Sequence, residues 1–198
     1  MTGLINPGPR HPATRAVMNA AVSRANPSHL LPIGLSVLSG EHFGGTEVIS
    51  SMRFFIKHIE NNPTELAIKL FKKLKSSKNE GDFHISPGFG SRFADIDPLP
   101  QKIINQLLNV DKDFKYIKWG QAYAKQLNKK NMGWLSSGLA AAVFCELNIN
   151  YRAGAGLFQL CNAPGILAHG LEMADKAITA MPFVDEKHYI IADEAKKN

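Results

Sequence analysis

Apolar side chains recur at helical spacing through most of the chain, and the breaks between them fall at proline, glycine and asparagine. Ala16, Val17, Ala20, Ala21 and Arg24 keep that spacing, and the pattern predicts a helix over Ala13 to Ala25. Asn26-Pro27 ends it and Ser28 caps the next, His29 to Leu38, with Pro32 in its first turn and Ser39-Gly40 as its stop. Val48, Met52, Phe55 and Ile59 form one stripe of a helix over Thr46 to Glu60, and Asn62-Pro63-Thr64-Glu65 opens another that runs to about Leu74. From Ser76 to Pro98 the periodicity is lost to glycine, proline and short polar residues, which predicts a long loop of the kind that carries function. Further helices are expected over Pro100 to Val110, Asp113 to about Leu127, Leu135 to Leu147 and Tyr151 to Ala177. The last should be kinked or divided at Pro164-Gly165, because proline removes a donor and crowds the preceding turn. Only Phe183 to Ala192 reads as extended, so the fold class expected is all-α.

At 198 residues with 44% hydrophobic content, the chain can bury one sizeable core. The organisation expected is a flexible arm over residues 1–12, one helical domain over 13–192 and a charged tail over 193–198. Lys and Arg number 23 against 17 Asp and Glu, and the surplus collects at Lys69, Lys72, Lys73, Lys75 and Lys78 and again from Lys112 to Lys130. Both runs follow helical patterns and lack aromatic interleaving, so they read as solvated helix faces and no nucleic-acid partner is expected. Cys145 and Cys161 form no CxxC pair, and the seven histidines show no HExxH spacing; neither a disulfide framework nor a metal is expected. No stretch of about 18 apolar residues occurs, so no membrane partner is expected and a cytoplasmic location fits.

Three segments carry a resemblance when taken in order. They are Ser39-Gly40-Glu41-His42-Phe43-Gly44-Gly45-Thr46-Glu47, then Pro87-Gly88-Phe89-Gly90-Ser91-Arg92-Phe93 with Asp97-Pro98, then Leu157-Phe158 through Gly165-Ile166-Leu167-Ala168-His169. With Ser136-Ser137-Gly138 ahead of an apolar helix, they resemble the citrate synthase and citryl-CoA lyase superfamily over about Gly8 to Ile191. The short spacing from Arg92 to Asp97 and the tail Ala180-Met181-Pro182-Phe183 are closest to the citryl-CoA lyase branch. The resemblance implies a citrate synthase-like helical domain, truncated at the amino terminus relative to full-length citrate synthases.

It also implies which residues should do chemistry. Joining a CoA thioester to a keto acid, or reversing that step, needs a base for a weakly acidic α-proton, donors for the enolate oxygen, and arginines to hold carboxylates. His42 stands at, or one residue before, the histidine that polarises the thioester carbonyl; a register fixed on Gly44-Gly45 puts Phe43 there instead. Ser91 replaces the second histidine and Ser137 replaces the aspartate base, although an unassisted serine is a poor base near neutral pH. Leu99, Asn162 and Met181 stand where three arginines are expected, leaving Arg92 of the cationic set. Catalytic candidates are thus His42, Ser91 and Ser137, with Arg92 and Asn162 as substrate-binding candidates. Pro87, Gly88, Phe89 and Gly90 resemble the loop that approaches coenzyme A, though a turn with no ligand would read the same way. His11 and His84 are candidates to supply a base from another direction, whereas His169, on a long apolar helix, reads as a satisfied core histidine.

Two functions follow from this pattern. One is binding of coenzyme A or an acyl-CoA, without a metal, with impaired or altered carbon–carbon bond chemistry. The other is a non-catalytic binding or assembly subunit beside an active paralogue. In either case the resemblance implies a homodimer, or a heterodimer with a family member, joined through the Ala13 to Ala25 and His29 to Leu38 helices.

Overall fold

The computed structural model describes residues 2–74, 84–92, 95–110 and 113–182. Within them lie eight α-helices: α1 (Pro12–Val22), α2 (Pro27–Leu38), α3 (Gly45–His58), α4 (Pro63–Leu74), α5 (Pro98–Val110), α6 (Lys115–Leu127), α7 (Ser136–Glu146) and α8 (Tyr151–Met173). Three short strands accompany them: β1 (His84–Ser86), β2 (Phe89–Gly90) and β3 (Gly133–Trp134). The expected strand over Phe183 to Ala192 and the charged tail lie outside the described residues.

Several boundaries differ from the sequence expectation for identifiable reasons. Helix α1 stops at Val22 because Arg24 takes a left-handed φ of 64°, letting Ala25 N–H reach Ala20 O at 3.0 Å in a Schellman closure. Arginine gives no signal for that geometry. Asn26, not Ser28, caps α2, its Oδ1 accepting Ser28 N–H at 3.0 Å with Pro27 in the first helical position. Helix α8 ends at Met173 instead of Ala177, and it is not divided at Pro164.

Pro164 takes away the donor that Leu160 O would have used, on a side of the helix where Leu160 is 70% exposed. The next donor, Gly165 N–H, binds Ile5 O outside the helix at 3.0 Å. Residues 2–11, expected as a flexible arm, thus lie across α8, with Leu4 buried and His169 Nε2 3.1 Å from Asn6 Oδ1. His169 also binds Glu172 at 3.0 Å, so it is satisfied, but it is half-buried at the helix surface and not in the core as expected.

Small side chains let α8 pack against α1, α2 and α3 together: Gly154 faces Met52 and Val48, and Gly170 faces Val17 and Leu30. Helix α7 is buried along nearly its whole length, with Ala140, Ala141, Ala142 and Phe144 held between α3 and α6. The loop expected over Ser76 to Pro98 instead contributes β1 and β2, which pair antiparallel in the order β1-β2-β3, Phe89 opposite Trp134 and Gly90 opposite Gly133. These strands are two or three residues long, too short for a two-residue alternation to be legible. An aromatic cluster fixes them: Phe89 meets Tyr123 and Trp134 at centroid separations of 4.7 Å, and Phe55 stacks on Trp134. Each such buried ring stabilises the fold by about 1.5–3 kcal/mol.

Much of the apolar surface assigned to a subunit interface is used inside the chain. Ala13, Ala21, Leu30 and Leu38 are buried between α1, α2 and α8, while Leu31, Ile33 and Leu35 remain half-buried. Two glycines of α8 test the role of the arm. A Cβ at Gly165 would lie 2.2 Å from Ile5 O, whereas one at Gly156 would meet nothing within 4 Å. Chemical denaturation should show Gly165→Ala destabilised by about 1–3 kcal/mol and Gly156→Ala stabilised by about 0.5–1 kcal/mol. Equal effects at both positions would remove the arm from this account.

Candidate functional site

Glu47 organises the region around the three resembling segments. It lies in the first turn of α3, whose amino terminus has Gly44 as a cap without a side chain, so the carboxylate turns back to receive Phe43 N–H at 2.8 Å. It also accepts Gly88 N–H at 3.2 Å and meets His84 Nδ1 at 3.0 Å. One buried carboxylate therefore ties the start of α3 to the β1-β2 hairpin. Phe43 pays for this junction with a left-handed φ of 56°, a strained conformation for an aromatic residue. Its twist separates the two alternatives for the thioester position: the Phe43 ring faces inward between His11 and His84, and His42 faces outward.

The outer face is a groove of about 460 Å³, walled by Glu41, His42, Thr46, Ser50, His84 and Pro87 among others. The His42 and His84 rings meet edge to face at 5.6 Å. Of the four residues expected at coenzyme A, only Pro87 lines this groove. Gly88 has a φ of 79° and presses on Gly138, where an added Cβ would come within 2.1 Å of Gly88 O. Gly90 pairs with Gly133, and Phe89 is wholly inside the aromatic cluster. The close backbone approach that glycine permits is made here to the chain itself.

Behind Phe43 lies a second, inner cavity that brings Arg92, Ser137 and Asn162 together with Pro7, His11, Leu135 and Phe158. It leaves about 10 Å³, room for about one water. Arg92 is occupied by the protein, donating from Nη1 to Asp97 Oδ2 at 2.8 Å and from Nη2 to Pro7 O at 2.7 Å. Asn162 donates to Phe158 O at 2.8 Å within its own helix. Ser137, 1% exposed, has no hydrogen-bond partner for Oγ among the described residues; buried Ser91 likewise has none and lines neither space. The structure thus gathers Arg92, Ser137 and Asn162 in one place, His42 and Pro87 in another, and Ser91 in neither. Leu99 is exposed on the outer surface and Met181 is buried, so neither substitutes for a carboxylate clamp.

Of the two alternative bases, His84 is held by Glu47 and His11 is consumed as a structural joint. His11 Nδ1 accepts Ala13 N–H at 3.2 Å, capping α1, and Nε2 lies 3.1 Å from Phe43 O. That pairing requires the neutral ring with the proton on Nε2. Burial lowers its pKa below 6.5, with Arg92 acting in the same direction and the bond to Phe43 O opposing. Cys145 is no nucleophile, since burial pushes its thiol up to about 12. Glu47 was missed as an organising residue, although an acid three positions after Gly44 at a helix start is a readable capping signal. Among the described residues no three His, Cys, Asp or Glu side chains converge to hold a metal, and no helix is long and apolar enough to cross a membrane.

No family model and no curated protein sequence matches the chain. Solved structures do. The citryl-CoA lyase from Hydrogenobacter thermophilus superposes with a TM-score of 0.72 at 18% identity, over 100% of this chain and 75% of that one. Citrate synthase from Thermotoga maritima gives 0.69 at 17% identity, over 96% of this chain and 52% of that one. ATP citrate lyase from Methanothrix soehngenii, solved with citrate and coenzyme A, gives 0.68 at 15% identity, over 100% of this chain and 34% of that one. The chain therefore has the citrate synthase-like helical fold, and it spans about half the length of the citrate synthase and a third of the ATP citrate lyase chain.

The neutral His11 joint gives a pH dependence of known sign. With a lowered native pKa, it contributes stability that is fully present above about pH 6.5 and is lost as the pH falls through the native value. His58, lowered by burial and by Lys57 and Lys69, adds in the same direction. His11→Asn keeps a capping acceptor but does not titrate, so its urea midpoint should fall less than that of the wild type on acidification below pH 6.5. Identical acid limbs for the two proteins would mean that His11 is not the joint inferred.

Proposed function

We propose that this chain is a citrate synthase-like binding protein that takes a CoA-type ligand at the groove beside His42 and neither makes nor cleaves citrate. The observation that carries this reading is the inner cavity. A citrate-sized acid needs free cationic donors, and here Arg92 is held by Asp97 and Pro7 O in a space of about one water. Ser137 and Asn162, at the base and clamp positions that the resemblance implies, supply no charge. Each lost electrostatic contact of this kind is typically worth about 2.7–4 kcal/mol in the transition state. Support for a CoA-type ligand comes from the fold, shared with an ATP citrate lyase solved with coenzyme A, and from the groove of about 460 Å³.

A second reading, an assembly subunit, is favoured by one surface feature. Gly156, Leu160, Pro164, Ala168 and Leu171 are exposed at helical spacing on α8 without a charge among them, and Gln159 binds Leu35 O of half-buried α2 beside that row. Such an uncharged face fits a homodimer or a heterodimer with a related chain.

The purified chain should show no measurable citrate formation from oxaloacetate and acetyl-CoA and no citryl-CoA cleavage, while coenzyme A raises its unfolding temperature and citrate does not. A ligand at a hundred times its Kd stabilises by about 2.7 kcal/mol, which thermal shift resolves. His42→Glu, adding a negative charge to the groove wall, should weaken the coenzyme A effect. Robust turnover would defeat the binding-only reading, and no thermal shift at high coenzyme A would remove the ligand. Light scattering should give a dimer that Leu160→Lys dissociates; a monomeric wild-type chain at high concentration excludes self-pairing.

A further inference from the structure

On the far side of the inner cavity, two surface grooves share one apolar floor. The first, of about 670 Å³, is lined by Gln101, Lys102, Asn105 and Asn128, and the second, of about 410 Å³, by residues 6–10. Ile96, Pro98 and Leu99 line both. The arrangement follows from Asp97. Its side chain turns inward to Arg92 and accepts Leu99 N–H at 3.1 Å, capping α5, and this leaves Leu99 41% exposed. Pro98, Gln101, Lys102 and Asn105 then fall at helical spacing along one face of α5.

Among the described residues that line the two grooves, the cations are Lys102, Arg10 and Arg92 and the carboxylate is Asp97, which is committed to Arg92 and Leu99 N–H; exposed Asp95 stands beside the floor, its Oδ1 accepting Ile96 N–H. The amides of Gln101 and Asn105 are tied to each other and to Gln121 at 3.0 Å, so the rim beside Lys102 is held in place. An apolar floor with a fixed amide rim and cationic margins suits a chain that is hydrocarbon along its length and anionic at its end.

We propose that this paired groove binds a free aliphatic carboxylate of medium chain length, its hydrocarbon on Ile96, Pro98 and Leu99 and its carboxylate at Lys102. The site lies apart from the His42 groove, so it does not depend on the coenzyme A reading.

The test is a titration of the full chain with decanoate, below its micellar range, followed by methyl NMR at Ile96 and Leu99. Saturable shifts at both methyl groups are expected. Leu99→Glu places a charge on the floor and should weaken binding by about tenfold or more, and Lys102→Gln should weaken decanoate but not decanol. Glutamate in the first turn of a helix is favourable, so Leu99→Glu should remain folded, and Ile68→Glu on α4 serves as the exposed control with unchanged affinity. No saturable shift, equal binding by wild type and Leu99→Glu, or decanol binding as well as decanoate would each overturn the proposal.

Discussion

The geometry around the candidate site depends on a single buried carboxylate. Glu47 accepts the backbone N–H groups of Phe43 and of Gly88, which are distant in sequence, and meets an imidazole as well. A buried charge is tolerable only when it is this thoroughly satisfied. Because both of its oxygens are used, the start of α3, the turn at Phe43 and the Pro87-Gly88 corner are joined through one side chain. The mutual approach of Gly88 and Gly138 extends that junction to the amino terminus of α7, and with it to Ser137. The outer groove and the inner cavity are two sides of this assembly, separated by the Phe43 ring.

Within that frame, the polar groups have turned toward the protein. Arg92, Asn162 and His11 each find their partner in a carboxylate or backbone carbonyl of the same chain. Such satisfaction favours a rigid interior and works against catalysis, which needs donors held in place for charge that develops only during reaction. Among the described residues Ser91 and Ser137 are exceptions, and Ser137 is a buried hydroxyl at the start of a helix with no side-chain cap.

Legibility in the sequence followed the length of each signal. Long apolar periods placed the helices, and the three resembling segments together pointed to a fold that superposition on solved structures bears out. What was not legible depended on partners distant in sequence. Pro164 reads as a helix breaker, and nothing near it reveals that Ile5 O receives the adjacent donor. Arg24 gives no cue to its left-handed turn, and β2 and β3 are too short to show alternation. At the site, the gathering of Arg92, Ser137 and Asn162 followed from the resemblance. The closing of their cavity did not, because it rests on Pro7 O and on the direction in which Phe43 points. Glu47 was readable as a helix-start acid, but its reach to Gly88 was not.

The bond between Ile5 O and Gly165 N–H has a consequence for how the molecule is made. The middle of the longest described helix is completed by a segment far from it in sequence, so local order alone cannot finish α8. Closing so large a loop is entropically unfavourable and, in chains dominated by distant contacts, slow. Until that segment docks, the turn around Pro164 lacks the bond to Ile5 O as well as the one that proline removes, and the helix should behave as two shorter rods with a loose joint. The division that proline would ordinarily impose thus belongs to the folding chain, and its disappearance marks arrival at the native state.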